Sequence, residues 1–402
     1  MNTLGSPATR RVPTLVIVLL PLLLLAGLVA LLLAIDPVRA LQAGFPPVEE
    51  LTIERALLRP GEVELTIVNG GPDPVTVSQV MVDEAYWQHT IEPQRTVQRL
   101  GRATILIPYP WVEGDAHVVK LVTSNGVTFE KSIDVAVESP RPSWRLVGLF
   151  ALLGVYVGVI PVGLGLLWYP ALKRASIRWM DFFLFLTIGL LIFLGFDALF
   201  DAWELAGEEE LIPGAYQGTG LLVIGVLGSI AALSALERWL LRGAGGDSDR
   251  ALFLLAFMIA IGIGLHNFGE GLAIGAAYAL GNLSLGTMLV LGFTLHNTTE
   301  GLAVVAPLSR RTVSIRQLIL LGAIAGAPTI AGTWIGGFTY SPTWALLFLA
   351  IGAGAIFQVA WQITTQMARR NEGVVSLLSP TNAAGMLAGL CIMYITGLFV
   401  AV

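Results

Sequence analysis

The sequence predicts a polytopic α-helical membrane protein with a small all-β domain near its N-terminal end. Three observations predict this fold class. Hydrophobic residues make up 55% of the 402 residues and charged residues only 13%, whereas a soluble protein carries about 25% charged residues. Most apolar residues fall into long uninterrupted segments, and the mean hydropathy is +0.76. The stretch 45–140 differs, because its apolar residues alternate with polar ones in short runs.

Nine apolar segments are long enough to cross a bilayer, since about 20 helical residues span its hydrocarbon core. They cover residues 13–35, 143–169, 181–205, 218–236, 251–277, 285–307, 317–338, 343–368 and 380–400. We therefore divide the chain into an N-terminal transmembrane segment (1–40), the all-β domain (45–140) and a helical membrane domain (143–402). The first segment follows Arg10 and Arg11, and we interpret it as an uncleaved anchor. A signal peptide cleaved near residues 39–43 is the alternative.

The all-β domain is predicted from three alternating runs, residues 63–68, 104–107 and 117–122. Glycine-, proline- and asparagine-containing turn sequences follow the first run at 69–74 and the last at 124–126. Short strands at this spacing favour an antiparallel β-sandwich. His89 and His117 are isolated within it, and we interpret them as structural or surface residues.

The arginines and lysines predict the orientation, because cytoplasmic loops are enriched in these residues. The loops 206–217, 278–284 and 339–342 contain neither residue type. The intervening basic positions are Arg10, Arg11, Lys173, Arg174, Arg178, Arg238, Arg242, Arg250, Arg310, Arg311, Arg316, Arg369 and Arg370. We expect a cell-membrane protein with a cytoplasmic N-terminus, and with the β domain and the C-terminus on the extracytoplasmic side.

The net charge and the cysteine content limit which partners the chain can bind and which kinds of site it can form. The formal net charge of −5 and the absence of a basic cluster argue against nucleic-acid binding. Cys391 is the one cysteine, so the chain can form neither an intrachain disulfide nor a cysteine-rich metal site.

A polar motif occurs twice inside neighbouring apolar segments. Residues 265–273 read Leu-His-Asn-Phe-Gly-Glu-Gly-Leu-Ala, and residues 295–303 read Leu-His-Asn-Thr-Thr-Glu-Gly-Leu-Ala. Ionisable residues at membrane depth cost a few kcal/mol or more, and they usually mark a bound ion or a pathway. The duplication therefore predicts a ligand set shared by two helices.

The spacing of the motif predicts a metal site. On a helix, residues four apart share a face, so His266 lies beside Glu270 and His296 beside Glu300; Asn267 and Asn297 lie on the flank of that face. Two carboxylates buried close together repel each other unless a cation lies between them. Imidazole with carboxylate suits Zn²⁺, Fe²⁺, Mn²⁺ or Cd²⁺ better than Ca²⁺ or Mg²⁺. A buried polar network without a metal is the alternative.

The third segment adds a stripe of acids. Asp197, Asp201 and Glu204 are spaced i, i+4 and i+7, and the acidic residues 208–210 follow. An acidic stripe that leads from the outer surface toward mid-membrane is typical of a cation entry path. For Glu204, a solvated helix end is an equally simple interpretation.

Over residues 145–402 the chain resembles the ZIP (Zrt/Irt-like) divalent-metal transporters of the GufA-like prokaryotic branch. The resemblance implies an eight-helix bundle with a metal site formed by His266, Asn267, Glu270, His296, Asn297 and Glu300, and with a further ligand at Asp197 or Asp201. The motif proline of the family is Gly269 in one copy and Thr299 in the other. Thr329 stands where relatives with a second metal carry Glu, and Gln358 and Gln362 stand on a face that often ends in Glu, so we expect one metal. The anchor and the β domain are additions to the family fold.

The resemblance implies import of a divalent metal by alternating access, with pH-dependent transport and no enzymatic activity. We expect no resident cofactor; the metal, zinc before iron and manganese, is the transported substrate. The expected partners are the metal and the bilayer, and homodimers are common among relatives. Two alternatives remain: a membrane metal sensor without flux, and an intramembrane metallohydrolase, for which the usual His-Glu-x-x-His sequence is absent.

Overall fold

A computed structural model describes residues 14–35, 47–139, 141–208, 211–242, 248–370 and 379–398. Contacts divide the chain into two compact units, Met1–Val48 and Glu49–Val402. In the first unit, helix α1 (Thr14–Ile35) is apolar on all sides and contains Pro21. Arg10, Arg11 and the cleavage region at 39–43 lie outside the described residues.

A small β-sandwich begins the second unit, as the alternating runs predicted. Its strands are β1 (Leu51–Arg59), β2 (Glu62–Asn69), β3 (Val75–Val82), β4 (Ala85–Trp87), β5 (Thr90–Glu92), β6 (Thr96–Val97), β7 (Arg102–Ile107), β8 (His117–Thr123) and β9 (Thr128–Ile133). One sheet has the order β1-β2-β7-β5 and the other β4-β3-β8-β9, with β6 paired to β3. All pairs are antiparallel.

The sandwich is held together by its inward-facing side chains. In β2, Val63, Leu65 and Ile67 are fully buried while the residues between them are half-buried. Ile105 of β7 and Leu121 of β8 complete the same core. Because successive side chains of a strand point to opposite faces, the alternating pattern in the sequence is enough to predict this core.

Within the described residues, eight α-helices follow the sandwich. They are α2 (Trp144–Lys173), α3 (Ile177–Gly207), α4 (Gly218–Arg242), α5 (Ser248–Ala279), α6 (Leu283–Val305), α7 (Ile315–Thr339), α8 (Pro342–Arg370) and α9 (Pro380–Gly397). Two of them are irregular. Helix α2 contains a π-helical turn, Val155–Val159, and α7 is broken at Ala327, directly before Pro328.

Six of these helices, α2, α3, α4, α5, α7 and α8, are long and apolar enough to cross a membrane. They coincide with six of the nine predicted segments, and their length and composition indicate a multi-pass membrane protein. Helix α6 is long but carries the polar sequence His-Asn-Thr-Thr-Glu within its span. Helix α9 has only 18 residues and begins with Pro-Thr-Asn.

The helices pack into two groups. The site group consists of α2, α5, α6 and α7, in which α5 packs on α7 and α6, and α2 packs on α6 and α7. The flanking group consists of α3, α4, α8 and α9, in which α3 packs on α8 and α9, and α4 packs on α8. The two groups meet mainly where α8 crosses α5, with a smaller contact between α3 and α6.

Candidate metal centre

Four side chains from the duplicated motif meet between α5 and α6. One ligand atom from each of His266, Glu270, His296 and Glu300 lies within 4.8 Å of all the others. All four residues are buried, with exposed fractions of 8%, 4%, 4% and 3%. The structure thus brings together the four residues that the motif spacing predicted to meet: each i, i+4 pair shares a helix face, and consecutive helices place the two faces together.

Glu270 is the centre of the cluster. Its Oε1 atom contacts the Nε2 atom of His296 and lies 3.2 Å from the Nε2 atom of His266. Its Oε2 atom accepts a hydrogen bond of 2.9 Å from the amide of Asn297. Two imidazole nitrogens and a carboxylate oxygen therefore lie close together. These are ligand types that divalent transition metals commonly bind in proteins.

Glu300 completes the cluster in a different way. Among the described residues, neither of its carboxylate oxygens makes a hydrogen bond of ordinary geometry, although the side chain is buried and the Asn267 amide lies close enough to interact with it. An ionised carboxylate without a partner is very costly in a low-dielectric interior, and the neighbouring Glu270 carboxylate adds repulsion. A divalent cation between the two carboxylates removes both costs and matches their combined charge.

The two motif asparagines are anchored at the irregularities of the neighbouring helices. The Asn297 amide donates a hydrogen bond of 3.1 Å to the carbonyl of Val157, within the π-helical turn of α2. The Asn267 amide donates one of 3.1 Å to the carbonyl of Ala325, in the last turn before the break in α7. Carbonyls at a helix end lack intrahelical donors, and π-helical turns are frequent at functional sites.

This anchoring leaves the asparagine oxygens available to a metal. Asn267 and Asn297 are fully buried, and their Oδ1 atoms have no hydrogen-bond partner among the residues that the structure describes. With the amide nitrogen held by a backbone carbonyl, the oxygen of each side chain is fixed in direction. The asparagines can therefore serve as additional oxygen ligands or as fixed dipoles beside the four-residue cluster.

The glycine that follows each motif glutamate allows a second helix to approach. A Cβ atom on Gly271 would overlap the Thr329 carbonyl and lie 2.9 Å from the Thr333 nitrogen of α7. A Cβ atom on Gly301 would overlap the Val162 carbonyl and lie 2.8 Å from the Cα atom of Gly165 in α2. The motif thus specifies the packing of its neighbours as well as the ligands.

The structure does not bring the predicted acids of α3 into the cluster. Asp197, Asp201 and Glu204 are all exposed, beside an exposed aromatic stripe that contains Phe196 and Phe200. Asp197 is nevertheless close enough to interact electrostatically with His266, His296 and Glu270. An ionised carboxylate at membrane depth requires water or a polar partner. Residues 209 and 210 of the acidic loop lie outside the described residues.

Thr329, Gln358 and Gln362 stand at or near positions where relatives with a second metal carry Glu, and all three lie in the helices. The Gln358 amide donates a hydrogen bond of 3.1 Å to Glu237 of α4. Gln362 is buried, and Thr329 is fully buried. In the described part of the chain, the group of acids and histidines close enough to share a metal is His266, Glu270, His296 and Glu300.

The two backbone anchors of the asparagines could not be found by sequence reasoning. Val157 and Ala325 are apolar residues that act through their carbonyls, 140 and 58 positions from their partners. Small residues spaced four apart, as at Gly154 and Gly158, indicate close helix packing, and a proline such as Pro328 indicates a helix break, but neither identifies a partner. No protein-family model and no curated protein matches the chain.

Proposed function

We propose that the protein carries divalent metal ions, with zinc preferred, into the cytoplasm as a ZIP-type transporter. The buried cluster of His266, Glu270, His296 and Glu300 supports the proposal most directly. Its two imidazoles and two carboxylates suit zinc, iron or manganese. A cation would also stabilise the buried Glu300 carboxylate, which makes no hydrogen bond of ordinary geometry among the described residues. In this proposal α6 and α9 also cross the membrane, which gives an eight-helix bundle.

The location of the cluster favours a transported ion over a structural one. The ligands lie on α5, which is long and apolar enough to cross a membrane, and on its neighbour α6. Within the site group they lie close to the contact with the flanking group, because His266 of α5 packs beside Gly352 of α8. A site at such a boundary can open to one side or the other when the groups shift. Alternating access by relative motion of two helix groups is a general solution for transporters whose site lies near mid-membrane.

The entry and exit paths follow from the direction of the helices. In the proposed orientation, α3 runs outward, so Asp201 lies nearer the outside and Asp197 nearer the cluster. A cavity of about 440 Å³ lies at the opposite end of α3. Its lining comes from the first turns of α3 and α5, the segment after α6 and the last turns of α8: Met180, Leu184, Asp249, Ala251, Leu252, Leu255, Pro307, Ile363, Gln366 and Met367.

The mechanism needs three actions from these residues. Asp201 and Asp197 concentrate cations at the outer approach. The two histidines and two glutamates replace the water ligands of the ion, and the asparagines hold the cluster in shape. A shift of the site group against the flanking group then transfers the ion toward the inner cavity, where water and protons release it from the carboxylates.

Metal uptake into proteoliposomes tests the proposal. We expect saturable zinc uptake by the wild type, no uptake by Glu300→Gln, and wild-type uptake by Thr298→Val. Thr298 is the matched control, because it is half-buried on the same helix and bonds only the carbonyl of Thr294 in its own helix. Wild-type flux in Glu300→Gln would contradict the proposal. Zinc binding without flux in the wild type would instead indicate a membrane metal sensor.

A further inference from the structure

The sandwich touches the outer ends of both helix groups. On the flanking group, the Glu50 carboxylate accepts a hydrogen bond of 2.6 Å from the backbone of Gly214, in the loop between α3 and α4. Gly70, at the end of β2, packs beside Pro213 of the same loop, because a Cβ atom there would lie 3.1 Å from the proline ring. This contact fixes one edge of the sandwich to the flanking group.

Arg55 makes the corresponding contact on the site group. Its guanidinium donates a hydrogen bond of 3.2 Å to the Phe338 carbonyl, at the C-terminal end of α7. A cation is favourable there, because the helix dipole places partial negative charge on the last carbonyls. The side chain of Val137 adds a second contact, since it lies against Gly281 in the loop between α5 and α6.

A β-bulge in β1 directs Arg55 toward α7. The register with β2 shifts between Ile53 and Arg55, so Glu54 is the extra residue. Glu54 is buried and pairs with Arg102 at 3.1 Å. A bulge changes the face to which the following side chain points, and here it releases Arg55 from the strand alternation. Glu50 and Arg55 thus act from the same edge of the sandwich on different helix groups.

From these contacts we infer that the sandwich is a clamp that bridges the two helix groups, with Glu50 and Arg55 as its two points of contact. The inference rests on the proposed transport. The sandwich has its own continuous core and therefore moves as one body. If the two groups shift against each other, at least one of the two contacts must open in every cycle.

Cross-linking of the two contacts tests the clamp. In a Cys391→Ser background, one pair is Glu50→Cys with Gly214→Cys, closed as a disulfide. The other is Arg55→Cys with Thr339→Cys, closed by a cleavable bifunctional thiol reagent, since Thr339 is exposed beside Phe338. Either cross-link alone leaves the other contact free to open, so zinc flux should persist. Both together should stop flux, and a reductant that cleaves both links should restore it.

A cross-link inside the sandwich is the matched control. Thr76 and Thr96 are register partners whose hydroxyls lie 2.9 Å apart. Thr76→Cys with Thr96→Cys therefore forms a disulfide inside the sandwich that does not link the two helix groups. This variant should transport when oxidised. Full flux through the doubly cross-linked protein would overturn the clamp while leaving the proposed transport intact. Absence of zinc flux in the wild type would contradict the proposed transport itself and would remove the basis of the clamp.

Discussion

Glu270 and Glu300 occupy the same position of the same motif and are equally buried, yet their surroundings differ. Glu270 contacts both histidines and accepts the Asn297 amide. Glu300 makes no hydrogen bond of ordinary geometry among the described residues, although the Asn267 amide lies close enough to interact with it. The difference shows that a duplicated sequence does not create a symmetric site. One carboxylate organises the ligands, and the other leaves the position that a cation would complete.

The difference comes from the neighbouring helices. The π-helical turn of α2 holds Asn297 so that its amide reaches both Val157 and Glu270. The break in α7 holds Asn267 on Ala325. Local sequence fixes which residues face each other, and the irregular helices decide which partner each one obtains.

Replacement of Glu270 should destabilise the metal-free protein, whereas replacement of Glu300 should stabilise it. This is the largest effect we expect. Glu270→Ala leaves His266 and His296 without their buried partner, and breaking a buried charged pair costs about 3–5 kcal/mol. Glu300→Gln removes an ionisable group without a partner, and relief of such a group is worth about 1–3 kcal/mol. Denaturation in detergent with a chelator measures both changes.

Zinc provides the control for that pair of variants. The wild type should gain stability when zinc is added, because a ligand that binds only the folded state stabilises it. Both variants should lose most of that gain. Destabilisation by both variants without zinc, to a similar extent, would show that the two carboxylates are equivalent after all.

The two motif asparagines should also contribute unequally to zinc affinity. Groups that orient metal ligands typically contribute about 10–100-fold to affinity. We expect Asn297→Ala to weaken zinc binding within that range and to do so more than Asn267→Ala, because only Asn297 bonds Glu270. Calorimetric titration of zinc into the two variants measures the order. The reverse order would mean that the contact with Glu270 does not organise the site.

The motif glycines should show a smaller and more symmetric effect. Gly271→Ala and Gly301→Ala each force a methyl group against a neighbouring backbone, and overpacking costs about 1–3 kcal/mol. Gly163→Ala is the control, because a Cβ atom at that helical position would meet no atom within 4 Å. Thermal unfolding of the three variants compares them. A loss in the control equal to that in the motif variants would exclude close packing as the cause.

Asp83 of the sandwich is a carboxylate that, unlike Glu300, accepts several hydrogen bonds, and its effect on stability is the smallest we expect. Burial alone would raise the pKa of Asp83, but hydrogen bonds from Val118, His117 and Tyr109 outweigh it, and the pKa lies below the ordinary 3.8. The stability that these bonds contribute is therefore present above the ordinary pKa and is lost as the pH falls through the lowered value. Asp83→Asn lacks it at every pH.

The unfolding midpoint of the full chain between pH 7 and pH 3 checks this sign. The difference between the wild type and Asp83→Asn should be largest near neutral pH and should shrink in acid. A difference that grows as the pH falls would contradict the assigned hydrogen bonds.

Much of the fold could be predicted because its signals are local. The i, i+4 spacing of His266 and Glu270 was enough to place them on one face, and strict alternation at residues 63–67 was enough to predict a buried strand face. Of the nine apolar segments identified by hydropathy, six coincide with helices that are long and apolar enough to cross a membrane. The same measure is weak for α6, because the ligands themselves make that helix more polar.

The remaining features depend on contacts between distant parts of the chain. The partner of Asn297 is a backbone carbonyl in a π-helical turn, and no side chain at Val157 signals it. The bulge at Glu54 is visible only once β1 pairs with β2. Gln358, which was placed by resemblance on a face that often ends in Glu, bonds instead to Glu237 of α4. Tertiary packing decides each of these cases, and a single sequence carries no record of it.

X-ray absorption at the zinc edge, on the purified full-length protein loaded with zinc, tests the central claim most directly. We predict a mixed nitrogen and oxygen ligand shell with two histidine nitrogens at about 2.0–2.1 Å. The Glu300→Gln variant should bind zinc weakly or show one carboxylate fewer, while Thr298→Val keeps the wild-type spectrum. A spectrum without histidine ligands, or one that Glu300→Gln leaves unchanged, would contradict a metal site at this cluster.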